Sequence, residues 1–587
     1  MPFHFPKSMI FRPLKGAAWL SALVLSGALI GAPGFIANHA VQSRLHDLLA
    51  TTKGLHIQSW HIANGRVLLK GLTVHKDGMR LAIGDISLPL SRQISGIWPI
   101  GQAQAASGAA KADNIHLTFT SVSSADIVLD IPHVSATGTS LSDADLAALF
   151  DIKGTVPIDK QLEKLNAASI DIPDATLNYD NHTSKATLKM QNLALKDIVA
   201  GKAATASVAS QTFVLQTKNM QEFTGKGGVI SAQGLNLPVY ARFNSQKRTN
   251  DNEPLQLAVD SISYGPYEFH GLQFDVTMQH MSQTQLWLRP MKNPDTSAIA
   301  KAAGDQTKDH PLAPEILGAL LNLYGDVFTS EYFGPAKATD IAFVIHPEAK
   351  AGDKTPPAPV HFSIGELSIH EAAADPAHPL TAGIPSEFGY GIQHLKFDLS
   401  TLPKGLDTDT LHAMGYDNID LSSNLDWVWN SAEKRMSLKE FSLSDPNKGS
   451  AEFGVTLGNV LPDMFSGNPA LIKTDAVALL IQEAHLNLVN NGLMEKIIAR
   501  QAAQSNQTAT ALNAQLAAAA ATMIPAMLGN GPSARNLGDS VANFIKAPKN
   551  IEISVQSKDG LGVMDMPQLK NPAALMDKLA ITTTVNK

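Results

Sequence analysis

Residues 55–90, LHIQSWHIANGRVLLKGLTVHKDGMRLAIGDISLPL, carry the pattern that decides the architecture. Leu55 and Ile57 alternate with polar neighbours. Trp60 and Ile62, Val67 and Leu69, Leu72 and Val74, Leu81 and Ile83, and Ile86 and Leu88 follow in the same rhythm. A period of two sends successive side chains to opposite faces of an extended strand. Asn64-Gly65 and Asp77-Gly78 separate the runs, and both dipeptides tolerate the positive φ of the tight turns that join antiparallel strands. The stretch is predicted to be a meander of hairpins.

The same texture runs through most of the chain. Strands are predicted at Ile115 to Thr120, Ile127 to Ile131, Ala168 to Tyr179, Ala186 to Leu195, Leu255 to Ser263, Phe269 to Met278 and Gln285 to Leu288. They resume at Ile341 to His346, Val360 to His370, His394 to Leu399, Leu421 to Trp429, Met436 to Leu443 and Ala451 to Leu457. Apolar-in, polar-out alternation describes an antiparallel sheet with one wet face. Helical interruptions are expected at Asp143 to Phe150, Asp159 to Leu165 and Pro314 to Phe328, and loops at Asn293 to His310 and Glu348 to Pro359. After a strand at Ala476 to Leu488, helices are expected at Leu493 to Gln504, Thr508 to Leu528 and Asn536 to Ile545. A strand at Ile551 to Val555, a short helix near Pro572 to Leu579 and a strand at Ala580 to Val585 close the chain.

Upstream, Gly16 to Ala37 (GAAWLSALVLSGALIGAPGFIA) has no formal charge and follows Lys7, Arg12 and Lys15. A helix of that length spans roughly 30 Å, a bilayer's hydrocarbon thickness, and the basic flank stays in the cytoplasm. This segment is expected to be a transmembrane signal anchor. A cleaved signal peptide is the alternative, with Ala32-Pro33-Gly34 as its small-residue triplet, but that cut falls inside the apolar run. Val41, Leu45, Leu48 and Leu49 continue the anchor as a short amphipathic helix.

The expected fold class is therefore mainly β with some α: one N-terminal transmembrane helix, an elongated, curved antiparallel sheet, and a C-terminal helical cap. The expected layout is a basic tail at 1–15, the anchor at 16–37, a β-rich region at 38–292, a second at 293–470 and a mixed helical region at 471–587.

Composition narrows the function. The 587 residues have a formal net charge of -7 and no clustered basic face, which argues against nucleic acid as a partner. Hydrophobic residues at 44% and charged residues at 17% belong to a globular chain. Cysteine is absent, which excludes disulfides, thiolate metal sites and cysteine nucleophiles.

Residues 59–90, together with HAMGYDNIDLSSNLDWVWNSAEKRMSLKEFSLSDPNKGSAEFGVTLGNV at 412–460, resemble AsmA-like and YdgA-type envelope proteins. The Gly71 to Val74 step and the Gly-Tyr followed by successive strands carry that resemblance. It implies an inner-membrane protein whose bulk faces the periplasm, with a β-groove that handles lipid. It carries over no functional residues.

No catalytic, cofactor-binding or metal-ligating residues are identified. Gly529-Asn530-Gly531 reads as a helix terminator, and Gly225, Gly227 and Gly228 as a hairpin turn, because neither has the Lys-Ser/Thr of a phosphate loop. His361, His370 and His412 lack the His-x-x-x-His or His-x-His spacing of a metal site. Asp174, Asp180, Asp407 and Asp409 are read as turn residues that cap backbone donors. No Gly-x-Ser-x-Gly elbow is present. Asn181-His182-Thr183 and Asn506-Gln507-Thr508 match the glycosylation pattern.

The expected function is that of a non-enzymatic protein of the cell inner membrane and periplasm, whose sheet groove binds or guides lipid or supports outer-membrane assembly. Its expected partners are the lipid bilayer, phospholipid or another envelope protein. The alternative is a structural or regulatory envelope module that docks a partner through Leu493 to Ile545.

Overall fold

The alternation of residues 55–90 folds as three antiparallel strands, β1 (Leu55–Ala63), β2 (Arg66–Lys76) and β3 (Met79–Pro89). Ala63 pairs with Arg66 and Lys76 with Met79, so two residues separate the strands at Asn64-Gly65 and again at Asp77-Gly78. The computed structural model describes residues 55–63, 66–76, 79–89, 110–120, 126–138, 157–180, 184–217, 222–250, 253–292, 330–347, 358–372, 387–401, 408–465, 469–562, 565 and 576–587. The chain divides into two units, with the boundary between Phe333 and Gly334.

In the first unit the meander continues through β4 (Ala110–Thr120), β5 (Asp126–Thr137), β6 (Ala167–Asp180) and β7 (Ser184–Val199). Next come β8 (Lys202–Val208), β9 (Ser210–Thr217), β10 (Glu222–Gly227), β11 (Ile230–Asn236), β12 (Gln256–Tyr264) and β13 (Tyr267–His270). β14 (Phe274–Met278), β15 (His280–Leu288) and β16 (Glu331–Phe333) complete it. β7 is long enough to pair with β8 along one half and β9 along the other.

Beyond β7 the chain passes four times through the same interruption. Val208 pairs with Ile230, Ile230 with Tyr264 and Tyr264 with Met281 on one side of it. Gln211 pairs with Gly227, Gly227 with Tyr267 and Tyr267 with Met278 on the other. Inside the break the Gly228 amide donates to the Pro266 carbonyl at 2.7 Å, and the Gly265 amide to the Val229 carbonyl at 2.6 Å.

Among the described residues of this unit two short helices stand beside the strands, α1 (Ile158–Leu162) and α2 (Leu237–Ser245). Asn236 caps α2 by accepting the Val239 amide, and Pro238 fills the first turn, where a missing N–H costs nothing. Gln246 donates to the buried Asp159 carboxylate at 2.8 Å, tying the helices together. Leu162, Leu165, Leu237 and Ala241 join Leu72, Ile83, Ile115, Leu129 and Ile170 in one core.

The second unit holds β17 (Ala336–Ile345), β18 (Val360–Ala372), β19 (Glu387–Asp398), β20 (Asn418–Asn430) and β21 (Arg435–Asp445). It ends with β22 (Gly449–Gly458), β23 (Leu480–Asn490), β24 (Asn550–Gly562) and β25 (Leu579–Val585), each strand antiparallel to the next. Its described helices are α3 (Thr408–Ala413), α4 (Pro469–Ala476), α5 (Leu493–Gln504), α6 (Ala509–Met527) and α7 (Pro532–Lys546). α7 lies against β24 and β25, where Ser540 and Thr583 share a 2.6 Å hydrogen bond, and α6 packs on α7.

The sheet-rich reading is met, but the transmembrane element of the expected fold class is corrected. Among the described residues no helix is long and apolar enough to cross a membrane. α6 is the longest described helix, yet it is built largely of alanine, whose transfer energy is small. Gly16 to Ala37, on which the expectation rested, lies outside the described residues, as do the amphipathic continuation to Ala50 and the expected helices at Asp143 to Phe150 and Pro314 to Phe328.

Candidate functional site: apolar faces of the two sheets

Register turns the local alternation into a surface. In the first unit a single row of paired residues runs Leu55, Val74, Leu81, Leu117, Leu129, Leu177, Leu188, Phe213, Gly225, Phe269 and Val276. None of these residues is polar. Burial is nearly complete at Leu117 and Leu129 and falls to half-buried at Phe213 and Phe269. The opposite face carries Lys189, Thr212, Lys226, Glu268 and Thr277.

The half-buried end is aromatic. Phe269 stacks on Phe213 at 5.6 Å, on Phe223 at 5.9 Å and on Phe274 at 5.4 Å between centroids, while Phe213 also stacks on Tyr267 at 6.4 Å. Gly225 makes this possible, because a β-carbon there would collide with the Phe213 ring.

Where the four passes break, the sheet opens a slot of about 190 Å³ lined mainly by Ile230, Tyr264, Tyr267, Met278 and Met281, with Gln211 as its one amide side chain. Burial raises the Tyr264 phenol and pushes the Tyr267 phenol up to about 12, since the charged phenolate would lose its solvation. Tyr240 is raised as well, chiefly by burial and then by Tyr264 and Glu331. Neutral phenols beside two thioethers give a lining that suits an apolar chain.

The second unit repeats the design. Ala336, Ile369, Tyr390, Leu425, Phe441, Phe453, Leu486, Ile553 and Thr583 form one paired row across all nine strands. α7 reaches the row's end at Thr583, while Phe453 is 39% exposed and Leu443, on the same face, 40%. Phe343, Phe362 and Phe397 stack at 4.5 and 5.6 Å farther along.

A second depression, about 540 Å³, lies in the second unit and is lined in part by Arg435, Glu483, Lys558, Asp577 and Lys578. Its mixed charges read as a solvated surface.

The residues singled out from sequence fall mostly into structural roles. Gly225 and Gly227 lie within β10 and Gly228 in the aligned break, so the predicted hairpin turn is wrong. Gly529 and Asn530 take positive φ beyond α6, as a terminator should. Thr508 caps α6 by accepting the Ala511 amide at 3.2 Å. Asp174 lies inside β6 opposite Gln191 and is not in a turn, while Asp180 ends that strand in an ion pair with Lys185. Asp409 is in the first turn of α3, and His412 in that helix faces Asp417 at 3.5 Å. Asp407 and Asn181 to Thr183 lie outside the described residues.

His361 and His370 both belong to β18, on its polar side. His370, Glu387 and Asp426 are brought together from three strands, and among the described residues this is the one grouping of metal-ligand type. Sequence spacing could not reveal it, because the residues are 17 and 39 positions apart.

Comparison with known proteins adds little. A family model described as "Uncharacterized protein" matches residues 442–586, which hold β22 to β25 and the C-terminal helices. No curated protein matches the chain.

Proposed function

We propose that the apolar sheet faces bind the acyl chain of a lipid, and that the protein binds or guides lipid in a bacterial envelope without covalent chemistry. The observation that carries this reading is the unbroken apolar row across eleven strands, which ends in an aromatic stack beside a slot whose volume is too small for a drug-sized ligand but matches a segment of one hydrocarbon chain. A partly exposed apolar strip of that length is a liability unless something covers it. The resemblance of residues 59–90 to envelope families supports the location.

The test is solvent extraction of the purified full-length chain followed by mass analysis of the lipids recovered. Near-stoichiometric lipid is expected, reduced several-fold in Phe453→Gln and Met281→Gln variants that still melt cooperatively. Recovery no higher than from a control protein handled identically would remove lipid binding.

A second reading is favoured by one observation. Leu516, Met523 and Met527 are exposed on α6, spaced by seven and four residues, so they share one stripe of a helix that carries no charge. Such a stripe can dock an envelope partner. A photo-crosslinker at Met523 should then trap one dominant protein in cells, and Met527→Lys should abolish the adduct. A diffuse ladder of adducts would discard this reading.

A further inference from the structure

The polar face of the second unit holds a group that the lipid reading leaves unused. His370 on β18, Gly389 on β19 and Asp426 on β20 are consecutive partners across the sheet, and Glu387 lies two residues from Gly389 on the same face. Glycine in the central position removes the side chain that would otherwise separate the outer two. A β-carbon at Gly389 would collide with the His370 ring, so the imidazole folds over the glycine toward Asp426, with Nε2 4.0 Å from Oδ1.

One nitrogen and two carboxylate oxygens come within 4.8 Å of one another. The Asp426 Oδ1 atom is buried and has no hydrogen-bond partner. An anionic oxygen withdrawn from water with no hydrogen bond, and with only the His370 ring 4.0 Å away, is costly, and a cation is the natural remedy. The neighbouring acid does not supply that partner: Glu440, opposite Asp426, accepts hydrogen bonds from Asn424 at 3.3 Å and Ser442 at 2.6 Å.

We infer that His370, Glu387 and Asp426 form a binding site for a divalent transition-metal cation of the zinc class, with at least one coordination position left to water. Imidazole with carboxylates matches Zn²⁺, whose ligands lie about 2.0–2.2 Å from the metal, so donors must approach to roughly 3.3 Å of each other. The three side chains reach that spacing by closing by up to about 1.5 Å. The bound ion would clip β18, β19 and β20 together.

A close counterpart supplies the control. His485 also folds over a glycine, Gly454, and faces Glu452 at 3.8 Å, but among the described residues no third donor joins it.

The experiment is isothermal titration of the tag-free, chelator-dialysed full-length chain with ZnCl₂, repeated with MgCl₂. One zinc equivalent should bind well above the background of scattered histidines and raise the melting temperature, whereas magnesium should not compete. Asp426→Asn and His370→Gln should each weaken that site roughly tenfold or more, and His485→Gln should leave it unchanged. Should either variant fail to fold, Co²⁺ bound to the wild type gives a second readout. The expected spectrum is that of low-symmetry nitrogen and oxygen ligation. Absence of a stoichiometric site, a purely octahedral aquo-like cobalt spectrum, or a site lost in His485→Gln but kept in His370→Gln would each overturn the inference.

Discussion

Gly538 of α7 meets Pro525 of α6 so closely that a β-carbon on the glycine would lie 2.7 Å from the proline Cδ and 3.2 Å from the Ala520 carbonyl oxygen. The two helices therefore touch through a residue with no side chain and a residue with no amide hydrogen. Gly538→Ala gains about 1 kcal/mol in helix propensity, but over-packing costs about 1–3 kcal/mol, so a net loss is expected. Urea denaturation decides it, and a variant more stable than wild type would show that the helix pair is not tightly seated.

Gly201, between β7 and β8, has φ +76°, and its amide donates to the Leu165 carbonyl at 2.8 Å while its own carbonyl accepts from Leu237 at 3.1 Å. A β-carbon there would strike the Leu162 carbonyl and lie 2.8 Å from the Pro238 ring. Gly201→Ala adds this clash to a left-handed backbone penalty of about 1–2 kcal/mol and should lower the melting temperature sharply. Gly201→Asn relieves the backbone term alone, so equal losses in both variants identify the clash as dominant.

Phe269 stands among three other phenylalanines, and truncation removes all three stacks. Phe269→Ala should destabilise the protein by about 2–4 kcal/mol, somewhat below a fully buried phenylalanine, and Phe269→Leu by much less. Chemical denaturation of the two variants side by side gives the comparison. Equal losses in the two variants would mean that the ring stacks, which leucine cannot restore, and not the lost volume set the cost at this position.

Alkaline pH should weaken the slot. The Tyr267 pKa is raised by burial from its ordinary value of 10.0 to about 12, so the folded state holds its proton more tightly than the unfolded chain does. The associated stability is complete below pH 10 and disappears as pH rises through 12. Thermal melts across that window should fall less steeply for Tyr267→Phe than for wild type. Parallel slopes would show that this phenol is not coupled to folding.

Trp429 is buried and donates its indole N–H to the Val460 carbonyl at 3.3 Å. Trp429→Phe keeps most of the apolar volume but leaves that carbonyl unpaired, at about 1–3 kcal/mol. Differential scanning calorimetry would register the loss, and an unchanged transition would mean that water replaces the indole.

Part of the fold is legible in the amino-acid sequence itself. Helix boundaries at Leu493 and Gln504 coincide with the observed α5, because a turn at Asn491-Gly492 and an amphipathic run mark them locally. β8 and β9 were missed, since KAATASV lacks alternating bulky residues and is held in place by β7 and β11. α2 was missed as well, although Asn236 followed by Pro238 was a usable start signal. The glycines at 225–228 suggested a turn, but their smallness serves the Phe213 ring and the aligned break.

The amino-acid pattern alone determined that this protein is a run of antiparallel strands with one apolar and one polar face, because a period of two is a property of neighbouring residues. It could not determine which apolar residues line up across strands, where a row passes from closed core to half-open aromatic face, or that His370 and Asp426 flank one glycine. Those relationships depend on pairing register between segments distant in sequence, and only the folded sheet sets that register.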